Sequence, residues 1–264
     1  MTIHEFGTEN EEMILLIHPS AVMWDYFESV VPLLEKDYHI VIPALPGYDE
    51  EEPEDFTSVE EIAAELAGWL KEKGYPSLSL AYGCSMGGSI VIRMLAEGKI
   101  HIKNAVIDGG ITPYQLPRFF TVFIAVRDFL MVCMGKWGGR KLLMKAFSAD
   151  EYSDEDLKYV EKVLNFMSYQ TIWRTFDSCN NYKMPEPVPQ PEGYVEYWYA
   201  DAEEKARAWD ISYIKKNFQN VRFVKLENIG HGGMASTQPQ KMADMLSKLI
   251  KDSEPDDKSE RRRV

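Results

Sequence analysis

Unbroken apolar runs and helically spaced ones follow each other through the first 110 residues. Met13-Ile14-Leu15-Leu16-Ile17 has no polar position and stops at His18-Pro19. A strand covered on both faces has no wet side to supply, so this run predicts a central strand of a parallel sheet. Met23, Phe27, Val30, Val31 and Leu34 then recur at three- and four-residue spacing, which predicts the first crossover helix. His39 to Pro43 is the next strand, closed by Pro46-Gly47. Ser58 with Glu61 makes a capping box for a helix carrying Val59, Ile62, Leu66, Trp69 and Leu70, and Gly74 ends it. Leu78 to Tyr82 and Ala105 to Asp108 read as strands, with a helix through Ile90 to about Glu97 between them. Strand and helix alternating without hairpin signals predict an α/β fold: a doubly wound, mostly parallel sheet with helices on both faces.

The alternation stops at Gly109-Gly110. From Ile111 to about Gly193 the spacing is helical, over Phe119–Met134, Gly139–Phe147, Asp154–Met167 and Tyr169 to about Cys179. So long a helical insertion between two strands predicts a lid, with the Pro-rich run Met184 to Pro191 as its stiff exit strap. Phe119, Phe120, Phe123, Phe129, Met131, Met134, Trp137, Met144, Phe147, Phe166, Met167, Trp173 and Phe176 are expected to glue these helices together. They are also expected to roof a site beneath with apolar surface. The sheet resumes with Val195 to Tyr199, a helix through about Asn217 and the strand Val221 to Leu226. A last helix carries Met242, Met245, Leu246 and Leu249, with Thr237 and Gln240 as its expected cap. The domain boundaries that follow are 1–110 with 194–251 for the core, 111–193 for the helical cap, and 252–264 for a charged, disordered tail.

Composition narrows the function. The 264 residues, 45% of them hydrophobic, suffice for one large core. A net charge of -13 and a pI near 4.9 repel phosphate backbones and anionic lipid heads, so nucleic acid is excluded as a partner. The acidic run Asp49 to Asp55 reads as a solvated loop. Residues 1–12 lack a basic-then-apolar leader profile, and no apolar run reaches membrane-spanning length. Cys84, Cys133 and Cys179 are too few and too scattered for a disulfide framework or a zinc site, which fits a reducing cytoplasm. No metal and no cofactor are implied, and monomer and homodimer both stay open.

The chemistry centres on Gly83-Cys84-Ser85-Met86-Gly87-Gly88, which has the form G-x-S-x-G between a strand and a helix. A serine on such a tight turn is pushed out of the sheet, and the flanking glycines admit close backbone approach. The stretch lacks the spacing of a dinucleotide loop and the ending of a P-loop. A serine hydroxyl needs a base, and the base needs an orienting carboxylate. His231, between Gly230 and Gly232 after the final strand, is the best base; His4, His39 and His101 sit at a terminus, a strand start and a connection.

With these three motifs in order (His18-Pro19, the Ser85 elbow, and Gly230-His231-Gly232-Gly233), the chain resembles an α/β-hydrolase with a helical cap from about Met13 to Ile250. The resemblance implies the chain order Ser, acid, His and puts the acid at Glu203, where the family commonly has aspartate after a glycine, here Ala200. Asp201 and Asp108 stay as alternatives. It implies an oxyanion hole from the backbone N–H groups of Met86 and Ser20, although the family usually has His-Gly where this chain has His18-Pro19. Trp24 and Tyr26 nearby are expected to pack rather than react. The resulting expectation is a serine hydrolase that cleaves carboxylic esters of lipophilic acyl or aromatic small molecules through an acyl-enzyme on Ser85. Thioester, amide, lactone and carbon-carbon hydrolysis use the same constellation. The rival from another class is a small-molecule receptor on the same fold with little or no turnover.

Overall fold

β2 (Met13–Ile17) and β3 (His39–Pro43) are buried at every residue, the burial their unbroken apolar runs require. The computed structural model describes residues 1–52, 54–114, 116–146 and 153–253. Within them β1 (Ile3–Phe6), β2, β3, β4 (Ser77–Cys84), β5 (His101–Asp108), β6 (Val195–Ala200) and β7 (Val221–Leu226) form one sheet. Its order is β1-β3-β2-β4-β5-β6-β7. β1 is antiparallel to β3, and the other pairings are parallel. The α/β expectation holds.

The twofold side-chain period of a strand divides β2 between two cores. Met13, Leu15 and Ile17 pack with residues of α2 (Val59–Glu72) and α3 (Met86–Glu97). Ile14 and Leu16 pack with α1 (Val31–Leu34) and α9 (Pro239–Asp252) on the opposite face. Each fully buried leucine or isoleucine there contributes roughly 2 kcal/mol. Ser58 caps α2 as expected, its side chain accepting from the Glu61 N–H.

Three elements differ from expectation. Residues 23–34 form a 3-10 turn (Trp24–Phe27) and the four-residue α1, not one helix. Pro32 explains this: lacking an N–H, it suits the first turn of a helix and breaks an interior. Thr237 does not cap α9. It ends α8 (Met234–Thr237), where its hydroxyl donates to the Gly233 carbonyl, and Pro239 fixes the start of α9 instead. The edge strand β1 went unforeseen because Ile3-His4-Glu5-Phe6 is short, half-buried and mixed in polarity.

Between β5 and β6 lie α4 (Arg118–Ala146), α5 (Asp154–Phe166) and α6 (Tyr169–Asn181). Gly139, at φ 53°, interrupts α4 where two helices were expected to meet. Their shared interior holds Cys133, Leu143, Leu157, Val163, Leu164 and Ile172. Only part of the expected aromatic glue is used. Phe129 meets Trp173 edge-on at 5.8 Å, but Phe119, Phe120, Phe123, Met131, Met134, Trp137 and Met144 are exposed. Small residues explain the reversal: of the six buried positions of α4 among the described residues, Thr121, Ala125, Cys133 and Gly135 are small, and only Asp128 and Leu143 are larger. They allow close helix approach and so turn the large side chains outward.

The helices sit on the core through a polar seam. Thr171, Thr175 and Ser178 of α6 bond the Phe56 N–H, the Tyr48 hydroxyl and the Val59 N–H at 3.1, 2.8 and 2.8 Å. Most of the acidic run is exposed, but Asp55 accepts from the Ser168 and Thr171 hydroxyls, and Glu50 pairs with Lys162 at 2.6 Å. Among the described residues no helix is long and apolar enough to cross a membrane. Phe147 and the tail beyond 253 lie outside the described residues.

Candidate active site

β4 delivers its chain into α3 through one strained residue, Ser85, at φ 49° and ψ -111°. A non-glycine residue there costs of order 1–3 kcal/mol, so the surroundings must hold it. They do so by contact of backbone on backbone. A Cβ on Gly83 would stand 2.2 Å from the Gly87 carbonyl oxygen, and one on Gly87 would stand 2.3 Å from that of Ile17. The Ser85 N–H is fixed at 2.8 Å from the Asp108 carbonyl at the end of β5. Cys84 is buried and free, and it packs in the core below.

His231 follows β7 on a loop closed by Gly232 at φ 67°. Its ring lies over Gly109, where a Cβ would come within 2.8 Å of Cε1; Gly109 itself is at φ 57°. Nδ1 stands 3.0 Å from Oε2 of Glu203. The Tyr26 hydroxyl holds the loop from below, donating to the Gly232 carbonyl at 2.5 Å, and Trp24 stacks on His4. Tyr26 also lines the cavity that Ser85 faces.

The three carboxylates proposed from sequence separate clearly. Glu203 ends a 3-10 turn (Asp201–Glu203) after β6. Burial raises its pKa, but the His231 hydrogen bond and the Arg207 guanidinium outweigh burial and hold it down to about 2. Asp201 is exposed and accepts from the Ala202 N–H. Asp108 is buried under the elbow, where its Oδ2 accepts the Tyr82 hydroxyl at 2.7 Å. Burial pushes its pKa up to about 6 against the lowering by Tyr82 and His231. Two carboxylates near one imidazole are thus driven in opposite directions, and the one bonded to the ring is the one kept ionised.

Arg207 was not anticipated. Its guanidinium reaches Glu203 Oε1 at 3.1 Å and Asp210 at 3.6 Å, and Asp210 in turn accepts the Thr112 N–H and hydroxyl, each at 2.8 Å. The i,i+4 spacing of Glu203 and Arg207 was the available signal.

A cavity of about 770 Å³ opens over the elbow and is lined by Ser85, His231, Ser20 and Arg207. The inserted helices contribute Met131, Val132, Val160 and Phe176 to it. Tyr159 of α5 anchors the loop that carries Ser20, accepting the Met23 N–H at 2.9 Å and donating to Asp25. Just after Ser20, Ala21 is held at φ 64°. His18 is fully buried; its Nδ1–H donates to the Pro19 carbonyl, and burial lowers its pKa to about 4, so the ring is neutral. Met86 begins α3 and is buried, so its amide lies at the positive end of that helix.

A strained serine at a strand-to-helix turn and an imidazole tied to a half-buried carboxylate thus face one cavity on a mostly parallel sheet. The chain belongs to the alpha/beta hydrolase family, whose model matches residues 14–245. Solved structures share the fold at low identity. An alpha/beta hydrolase family protein from Desulfitobacterium hafniense is 19% identical, with TM-score 0.74 over 94% of this chain and 100% of its own. A thermophilic esterase from Thermogutta terrifontis is 13% identical, with TM-score 0.73 over 96% and 94%. MenH from S. aureus is 14% identical, with TM-score 0.74 over 96% and 98%. No curated protein matches the sequence.

Proposed function

We propose that this hydrolase cleaves carboxylic esters of neutral, lipophilic acyl or aromatic compounds through an acyl-enzyme on Ser85. The observation that carries this reading is the shared cavity: Ser85 and His231 both line it, while Glu203 engages the histidine nitrogen Nδ1 at 3.0 Å. With Nδ1 donating to the carboxylate, Nε2 is the nitrogen left to accept the serine proton. Ser85 Oγ attacks the ester carbonyl while His231 takes its proton, and Glu203 stabilises the imidazolium that forms. The Met86 and Ser20 amides hold the tetrahedral oxyanion. The imidazolium then protonates the departing alcohol, and water repeats the sequence to release the acid. Pro19 has no N–H, but the donor is the next residue, so the oxyanion hole survives the substitution.

Ester substrates suit the cavity better than anionic ones. Asp25, Glu28, Asp128, Glu155 and Asp156 line it against only Arg127 and Arg207, and Met131, Val132, Val160 and Phe176 offer apolar surface. That apolar surface is smaller than the aromatic content of 111–193 suggested, since much of that content faces away. The helices α4, α5 and α6 act as the cap over this site, and three buried free cysteines suit a reducing cytoplasm.

A fluorophosphonate probe and a series of p-nitrophenyl esters of rising acyl length test the reading. Labelling and turnover should both vanish in Ser85→Ala and should favour medium-length acyl chains. Ester turnover that persists in Ser85→Ala, or tight ligand binding with no labelling, defeats it.

A further inference from the structure

Along α4 runs an apolar surface that the rest of the described chain leaves uncovered. Phe119, Phe120, Phe123, Leu130, Met134 and Trp137 are 46% to 67% exposed, and their three- and four-residue spacing aligns them as a stripe. Phe119 rests edge-on against Phe120 and Phe123, with ring centroids 5.5 and 4.9 Å apart. The rings therefore pack with one another on the outside. A surface of this kind marks an interaction site.

Charge identifies the partner. The chain carries -13 overall, yet residues 111–193 hold ten basic and ten acidic side chains, so the whole excess belongs to the rest of the molecule. α4 alone has six basic residues and one acid, Asp128, which is buried. The exposed charged residues of this helix, among those described, are Arg118, Arg127 and Lys141, all basic. Arg127 pairs with Asp128 and Arg118 with Asp177, but in each pair the cation is the outer member, at 71% against 10% and 56% against 22% exposed. An aromatic and aliphatic stripe edged by cations fits the boundary of a bilayer carrying anionic headgroups. Rings enter the acyl region while guanidinium and ammonium groups stay among the phosphates. Two-fold pairing with a second copy would instead bring the same cations together.

We propose that α4 docks this protein on a membrane surface rich in anionic lipid, with the acidic remainder of the chain turned away from it. Arg127, Met131 and Val132 of the same helix line the cavity over Ser85. The acidity of the whole chain predicts repulsion from such a surface, but the negative excess lies outside residues 111–193 and leaves α4 free of it. It stands independently of the ester chemistry.

The full-length protein, with wild-type and Ser85→Ala chains side by side, is sedimented with vesicles of phosphatidylcholine alone or containing about a third phosphatidylglycerol. Both chains should bind the anionic vesicles, at least tenfold more weakly at about 0.5 M salt. Phe119→Ser/Phe123→Ser and Arg118→Gln/Lys141→Gln should each lose at least tenfold in vesicle binding. The phenylalanine variant should keep its circular dichroism and its turnover of a soluble ester. Absence of binding overturns the proposal, as does equal binding to neutral vesicles or full retention in the phenylalanine variant. A dimer in solution that Phe119→Ser/Phe123→Ser converts to monomer, with no vesicle binding by the wild type, assigns the stripe to a second copy and equally overturns it. Vesicle binding without ester turnover would remove the ester reading and leave this one intact.

Discussion

The sheet core and the inserted helices treat their apolar residues in opposite ways. In the core, β2 and β3 are buried at every position, and the surface around them carries the entire net charge of -13. In the insertion, charge balances, small residues occupy many of the helix contacts, and ten large apolar side chains of α4 are exposed among the described residues. The pattern of these strands is set by folding alone, because every apolar position of β2 and β3 is buried within the chain. The pattern of α4 is not explained by packing inside the molecule, since those residues are exposed to solvent. Apolar content thus measures core formation in one half of the molecule and outward recognition in the other.

If that division is right, substitutions in the core site should act on chemistry or folding, and substitutions in the exposed aromatic stripe of α4 on neither. Ser85→Ala is the sharpest case: ester turnover should fall at least about 10⁴-fold, with a melting temperature within about 2 °C of the wild type. Glu203→Gln should cost about 10²- to 10⁴-fold in kcat. Asp108→Asn should stay within about tenfold and Asp201→Asn should be neutral. A larger loss in Asp108→Asn than in Glu203→Gln would move the acid to the end of β5. Gly87→Ala should destabilise the fold by about 3 kcal/mol or more in urea titration, because backbone cannot yield 1 Å to a new methyl.

The pH dependence of unfolding probes the same pair. Glu203 is held at about 2 against an ordinary 4.5, so the stability it lends is complete above 4.5 and is lost as pH falls toward 2. The loss amounts to up to about 3 kcal/mol, and Glu203→Gln should lack it. Asp108 has the opposite sign: its pKa is raised from 3.8 to about 6, so its contribution weakens as pH climbs across that interval. Phe123→Ser, on α4, should change the unfolding free energy by less than about 0.5 kcal/mol. A loss of 2 kcal/mol there would mean the stripe is structural, and the contrast between the two regions would fail.

Much of this was legible in the chain, for identifiable reasons. Strands buried on both faces leave uninterrupted apolar runs, and a serine between glycines at a strand end leaves a short, local signature. His231 was readable because its glycines are adjacent in sequence. Glu203 was only partly readable, since Asp201 lies two residues away and Asp108 reaches the same imidazole from another strand. What separates them is which carboxylate meets Nδ1, a property of the folded loop. Arg207 was missed because its i,i+4 relation to Glu203 resembles any surface pair until burial is known. The outward turn of Phe119, Phe120 and Phe123 was missed because helical spacing states that residues share a side, without saying whether that side faces in.

The contact of Gly87 with the end of β2 reaches beyond stability. Since a methyl at Gly87 would sit 2.3 Å from the Ile17 oxygen and 2.9 Å from that of His18, the turn bearing Ser85 and the loop bearing Ser20 are separated by the thickness of bare main chain. The spacing between the Ser85 turn and the Ser20 loop is therefore a gauge cut by hydrogen-sized contacts. The atoms that set it belong to the main chain of Ile17 and His18, so the side chains along the Ser20 loop, Pro19 among them, take no part in fixing it.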